Sequence, residues 1–372
     1  MKIVKITLAV IASFAVSAIS FAGELTVTGS AKATYALQSS ESVTTSEKGM
    51  SNGKGIGIAN EFTLSASGET DQGISWAYAQ DIDGSTVQDD AKLTLSMPTF
   101  GTVGIMVSEG GLSSKYKWNV SAYAPGSDYG LTGTSGSSHA TGDKLLVGYT
   151  NGSDIGGYNN FQYHTPSGLL PYGTSVKLAY APNSQAASAN SSSNNAGDAV
   201  KKTGANGSNA QQVLIESKPM DGLDVAVSYF TLHDSPVGLR NDYEAGHVAV
   251  KYAMGQFSFG AQVGHIVPTN TKADITTYVN NYDNQSIGVA FNVNDALSVS
   301  FTQEQSESNR QVMKETGTGK TKTSVETDIK ALQAAYTMGG MTMSVARKEI
   351  ENMNYEKAVD ASETVFAVSL AF

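Results

Sequence analysis

The chain has no cysteine in 372 residues, so no disulfide contributes to its stability and a sheet or packed core must supply it. Beyond residue 22 there is no run of 18 apolar residues. That excludes a membrane-spanning helix in the rest of the chain, and a membrane-spanning mature protein would have to cross as strands. Catalytic signatures are missing too: there is no GxSxG elbow, no HExxH and no phosphate-binding loop. His233, His247 and His265 fall on separate segments without paired ligand spacing, so neither a metal nor another cofactor is expected. Positive charge is scarce. Lys and Arg total 24 against 34 Asp and Glu, a balance that argues against a nucleic-acid partner and for an acidic surface or an acidic aqueous interior.

What is present begins with residues 1–22, which read as a secretory signal peptide. Lys2 and Lys5 form its charged start, Ile6 to Ile19 its apolar stretch, and Ser20-Phe21-Ala22 its cleavage site. The stretch is short for an anchoring helix, and no stop-transfer pattern follows it. The mature chain is expected to begin at Gly23 and to form one domain, residues 23–372. Loss of the two lysines makes its formal charge −12, from 22 bases and 34 acids.

The remaining sequence is a rhythm of short alternating segments. In the first, Glu24 to Gln38, Leu25, Val27, Ala31, Ala33, Tyr35 and Leu37 share one face, and Thr26, Thr28, Ser30, Lys32 and Thr34 share the other. Further strands are predicted over 58–69, 74–83, 89–97, 102–108, 158–165, 174–181, 211–218, 223–233, 242–254, 256–267, 282–293, 297–305, 324–338, 341–350 and 362–372. Tight turns such as Thr70 to Gly73, Pro98 to Gly101 and Gly339-Gly340 alternate with longer polar loops. One loop, Glu109 to Gly157, is long and contains the strand-like Lys144 to Thr150. Another, Asn183 to Asn209, is nearly all Asn, Ser, Ala and Gly and has too little apolar surface to fold alone. Sixteen strands with this alternation of connections predict a closed transmembrane antiparallel β-barrel rather than a secreted sandwich, which has no reason to put its long loops on one side.

The final segment, Ser362 to Phe372, puts Phe366, Val368, Leu370 and Phe372 on one face and small residues on the other. At this FxVxLxF terminus the chain resembles the porins of Gram-negative outer membranes, whose last strand ends in Phe and is read by the barrel-assembly machinery. The resemblance implies a homotrimer in outer-membrane lipid, passing small hydrophilic solutes through a water-filled bore. Sixteen strands agree with an aqueous channel, since about eight leave an interior filled by side chains.

With lipid outside, the inward charges are Lys32, Glu61, Asp81, Asp83, Lys92, Lys177, Asp224, Lys251, Glu304 and Lys348, together with His247. Phe257, Phe259, Val289, Phe291, Val299 and Phe301 face out, as do Gln80 and Arg347, which are expected near the edges of the apolar band. Loop 109–157 holds the place of the porins' third loop, which folds into the barrel and makes the constriction. It offers Glu109, Asp128, Asp143 and Asp154 beside Lys115 and Lys117. Porins of this family typically set such acids against a basic cluster on the facing wall. This chain has only three arginines, Arg240, Arg310 and Arg347, none of them on the early inner wall, where Lys32 and Lys92 are the best candidates. The constriction is therefore expected to involve Lys32, Glu61, Asp81, Lys92, Glu109, Asp128 and Lys177, and to favour cations mildly.

Other readings compete with this one. Tyr116, Trp118, Tyr123 and Tyr129 in the long loop would suit a substrate-selective channel. The Asn/Ser-rich loop would suit a barrel-anchored adhesive protein, although ordering such a chain on binding is costly. A rim enzyme built on His139 and His164 has the least support. Acid pairs such as Asp89-Asp90 or Glu304 with Glu307, read as loop residues, are candidates for divalent cations.

Overall fold

A computed structural model describes residues 25–40, 53–83, 90–107, 109–112, 154–182, 209–233, 241–268, 277–313, 320–352, 355, 357–358 and 360–372. Sixteen strands form one closed antiparallel barrel, each pairing with its sequence neighbours. They are β1 (Thr26–Ser40), β2 (Gly53–Glu69), β3 (Ser75–Asp83), β4 (Ala91–Met97), β5 (Gly101–Val107), β6 (Asn160–His164), β7 (Ser175–Ala181) and β8 (Asn209–Met220). The second half comprises β9 (Leu223–His233), β10 (Tyr243–Met254), β11 (Phe257–Val267), β12 (Thr277–Asn292), β13 (Leu297–Met313), β14 (Lys320–Met338), β15 (Met341–Glu351) and β16 (Ala361–Ala371).

Closure is made by β1 and β16, in register from Ser30 opposite Ala371 to Ser40 opposite Ala361. Phe372 extends the seam by one residue. Its backbone exchanges hydrogen bonds with Gly29 (2.8 and 3.0 Å), and its ring packs on Phe62 of β2 with centroids 5.6 Å apart. Gly29 makes room for that ring, because a Cβ there would lie 2.9 Å from the Phe372 ring and 2.8 Å from the Glu61 carbonyl oxygen. The tight turns have their own requirement: Gly101 sits at φ 101°, and a Cβ would fall 2.2 Å from the His164 carbonyl oxygen.

The number of strands agrees with the sequence reading, but several lengths do not. β2 begins at Gly53 rather than 58, β12 at Thr277 rather than 282, and β14 at Lys320 rather than 324, while β13 continues to Met313 rather than ending at 305. These additions lie at the loop ends of the strands, where a polar outer face follows the apolar one. Glu304 and Glu307 are thus strand residues on opposite faces of β13, not a loop pair. Lys144 to Thr150 lies outside the described residues.

Along β9–β16 the two faces exchange character. In the half nearest the tight turns, exposed outer residues such as Val227, Val250, Phe259, Ile287, Phe301 and Leu332 are apolar, while inner Ser228, Gln262, Ser286, Ser300 and Gln333 are polar and shielded. In the half nearest the loops, the outer row runs through Glu244, His265, Asp283, Gln305, Asp328 and Glu351. The inner face there carries a buried apolar group, Phe230, Tyr243, Ile266, Val279, Tyr282, Ile329 and Ile350, beside shielded polar residues such as Asn284, Ser308, Thr327 and Glu363. Such inversion is what a sheet does when lipid lies outside it at one level and water at the next.

Candidate pore and constriction

The inner wall of β1–β5 carries much of the charge. Lys32 stands opposite Ala59 and Ser369. Glu61 stands opposite Ser30 on one side and the Asp83 position on the other. Asp81 stands opposite Thr63, and its backbone N–H donates to the Asp90 carbonyl (2.9 Å). Like charges set across neighbouring strands repel, so this sector concentrates negative potential.

Further round, the bases are matched with acids. Lys92, opposite Ala79 and Met106, forms an ion pair with Glu109 at the start of the long loop. Lys177, beside His164, pairs with Glu216 at 2.6 Å. Register also sets Lys251 opposite Asp224 and Lys348 opposite Glu363. Of the arginines, Arg347 faces outward, donating from Nη1 to Thr364 Oγ1 (3.1 Å) and pairing with Glu349 (3.4 Å). Gln80, also outward, accepts from the Tyr78 hydroxyl (2.9 Å). Arg310 takes a register position opposite Val279 near the loop end of β13.

Both described ends of the long loop, residues 109–112 and 154–157, lie against the inner wall. Ile155 opens a single 3-10 turn (Ile155–Gly157) and is fully buried. Its N–H donates to Gln212 Oε1 (2.9 Å), while Gln212 Nε2 donates to Ser228 Oγ (3.0 Å). Asp154 is an anchor, its Oδ1 accepting from Leu112 N (2.9 Å) and Gly156 N (3.1 Å). From β6, Asn160 Nδ2 donates to the carbonyls of Glu109 (3.2 Å) and Tyr158 (2.8 Å), and Gln162 Nε2 donates to that of Gly110 (2.5 Å). Leu112, Ile155 and Tyr158 pack against an apolar shelf that includes Ala181, Ala210, Leu214 and Phe230. Phe230 stacks on Tyr158 and meets Tyr243 edge-on, with centroids 6.1 and 6.0 Å apart.

The structure therefore joins Lys92 to Glu109 and Lys177 to Glu216, and places Lys32, Glu61 and Asp81 on the inner wall of the first strands. Asp128, like Asp143 and Tyr116, Trp118, Tyr123 and Tyr129, lies outside the described residues. Sequence reasoning missed Gln212, Asn160, Gln162 and Glu216, polar residues whose partners are far along the chain. It also missed the apolar shelf beyond Phe230 and Tyr243. A usable signal existed: the apolar alternation within one segment changes phase, as between Ile329 and Leu332 in β14. On the outside, Phe366, Val368, Leu370 and Phe372 are exposed, and a groove of about 700 Å³ runs between Tyr35, Ile56, Ile58, Met343 and Phe366.

A family model described as Gram-negative porin matches residues 7–352. No curated protein sequence matches significantly. Among solved structures, the fold is similar to that of an anion-selective porin from Comamonas acidovorans, with TM-score 0.61 and 10% identity over 94% of this chain and 100% of that one. It is also similar to OmpT of Vibrio cholerae in its trimer form (TM-score 0.57, 11% identity, 94% and 99% covered). The corresponding values for Salmonella typhi OmpF in complex with daunomycin are 0.55, 14%, 94% and 98%.

Proposed function

The chain belongs to the family of Gram-negative porins and is thus an outer-membrane channel, and we propose that it is a general diffusion porin with a mild preference for cations. The observation that supports this preference is the clustering of acids on the inner wall of the first strands. Glu61 stands opposite the Asp83 position and Asp81 opposite Asp90 on β2–β4, and the neighbouring bases Lys92 and Lys177 are each engaged by a further acid. An acidic wall in a confined bore raises local cation concentration, more so at low salt than at high.

The same reading includes a homotrimer, in line with the trimer form of Vibrio cholerae OmpT, which has a similar fold. It also takes residues 1–22 as the cleaved export signal and the Phe366 to Phe372 face as the segment read by the assembly machinery. The test is reversal potential across a planar bilayer under a KCl gradient. Wild type is expected to be cation-selective, and Glu61→Gln with Asp81→Asn to move the potential toward zero. An anion-selective wild type would overturn the charge argument while leaving the channel. Folded, inserted protein with no conductance would remove the diffusion porin and favour a barrel that serves as an anchor.

A further inference from the structure

The apolar inner shelf continues past the footing of the long loop to Ile266, Val279 and Tyr282 at the loop ends of β11 and β12. Apolar side chains lining a water-filled mouth need a cover, since exposed contiguous apolar surface is unfavourable. Over β12 and β13 cover comes from Tyr355, in the connection between β15 and β16. Tyr355 of that connection is 4% exposed. Its ring lies 5.3 Å from the Tyr282 ring, and its hydroxyl meets Ser306 Oγ at 2.5 Å. Ser306 in turn donates to Asn284 Oδ1. All three wall residues are on the inner face, in phase with shielded Ser286, Ser300 and Ala290.

Asn352 holds the root of this connection from several directions. Its carbonyl accepts from Thr327 Oγ1 (2.8 Å), its Nδ2 donates to the Glu326 carbonyl (2.9 Å), and its N–H donates to Asp360 Oδ1 (3.0 Å). Its Oδ1 accepts from Ala358 N (3.0 Å). Asn352, Tyr355 and Ala358 all adopt left-handed backbone conformations, at φ 52°, 59° and 65°. Non-glycine residues keep such conformations where surrounding contacts over-determine them, and Tyr and Ala have no intrinsic preference for them.

We propose that Tyr355, with Asn352 at its root, forms a second inward arm of the pore, latched to the wall of β12 and β13, and that it narrows the mouth from a sector separate from the long loop's footing. Tyr355 is then a residue that sets bore and exclusion size, acting through the position of its loop. This rests on the channel reading above.

The experiment compares wild type, Tyr355→Ala, Tyr355→Phe and a chain with residues 353–359 replaced by Gly-Ser, each shown to be folded by heat-modifiable migration. Single-channel conductance and liposome swelling with neutral sugars of increasing size are recorded. Releasing the arm is expected to raise conductance about twofold, because conductance scales with open cross-section, and to admit larger sugars. Tyr355→Phe, which keeps the ring and loses the hydroxyl, should lie between. If Tyr355→Ala does not fold, the loop replacement carries the test. Unchanged conductance and exclusion in the folded variants, with a conducting wild type, would overturn the second arm alone. A folded wild type that never conducts would overturn the channel reading and the arm with it.

Discussion

Two halves of the same strands obey opposite rules. Toward the tight turns, β13 presents Val299 and Phe301 outward and Ser298 and Ser300 inward; toward the loops, β12 presents Asp283 and Gln285 outward and Tyr282 inward. Backbone pairing is continuous through both regions of β13 and β14, so the difference is not one of secondary structure. It is one of solvent. The lower half is built inside out, with lipid as its apolar phase, and the upper half is built like a soluble sheet whose apolar side needs loops to cover it. The described ends of the long loop dock where the inner wall carries apolar side chains, at Leu214 and Phe230.

The comparison is broken most severely by attacking the covered shelf. Phe230→Ala removes a ring that is 1% exposed, stacked on Tyr158 and met edge-on by Tyr243. A loss of about 3–5 kcal/mol is expected, as for other buried Phe→Ala changes, read as a lower denaturant midpoint in detergent. A midpoint equal to wild type would mean that the shelf bears no packing load.

Next in size is a charge placed on each half of one outer face. Val299→Arg, flanked across the strands by Phe291 and Ala334, should cost about 2–4 kcal/mol if it meets the bilayer interior, against about 0–1 for Gln305→Arg beyond the apolar band. Equal penalties in reversible folding into liposomes would refute the assigned lipid boundary.

The smallest expected effect is at the seam. Gly29→Val would push Phe372 off Phe62, and overpacking of this kind typically costs about 1–3 kcal/mol. A loss in Gly29→Val with Phe372→Ala smaller than the sum of the single losses would assign part of the conflict to the ring, whereas additive losses would assign it to the Glu61 carbonyl.

Legibility in the sequence followed the physics closely. Strand number, the tight turns and the lipid-facing identity of Phe257, Phe259, Phe301 and Phe366 could be read directly, because lipid demands strict alternation with large apolar side chains. The extensions of β2, β12, β13 and β14 were less visible. Their outer residues, such as Asn281, Glu307 and Asn309, resemble loop composition, since water on that side places no apolar demand on them. Asp154 was visible as an acid on the long loop, but its service to two backbone N–H groups was not. Nor was the pairing of Lys177 with Glu216, which depends on how β7 and β8 align.

By itself the sequence determined that this is a sixteen-stranded barrel with lipid outside and a polar bore, because a period-two pattern fixes faces locally and the alternation of turns and loops fixes order. Tertiary structure decided which charges meet, where the outer face passes from apolar to polar, and which described loop residues pack against the wall. Those outcomes depend on register and closure, which bring together Lys92 and Glu109 or Ser306 and Tyr355 across distances the local pattern does not encode.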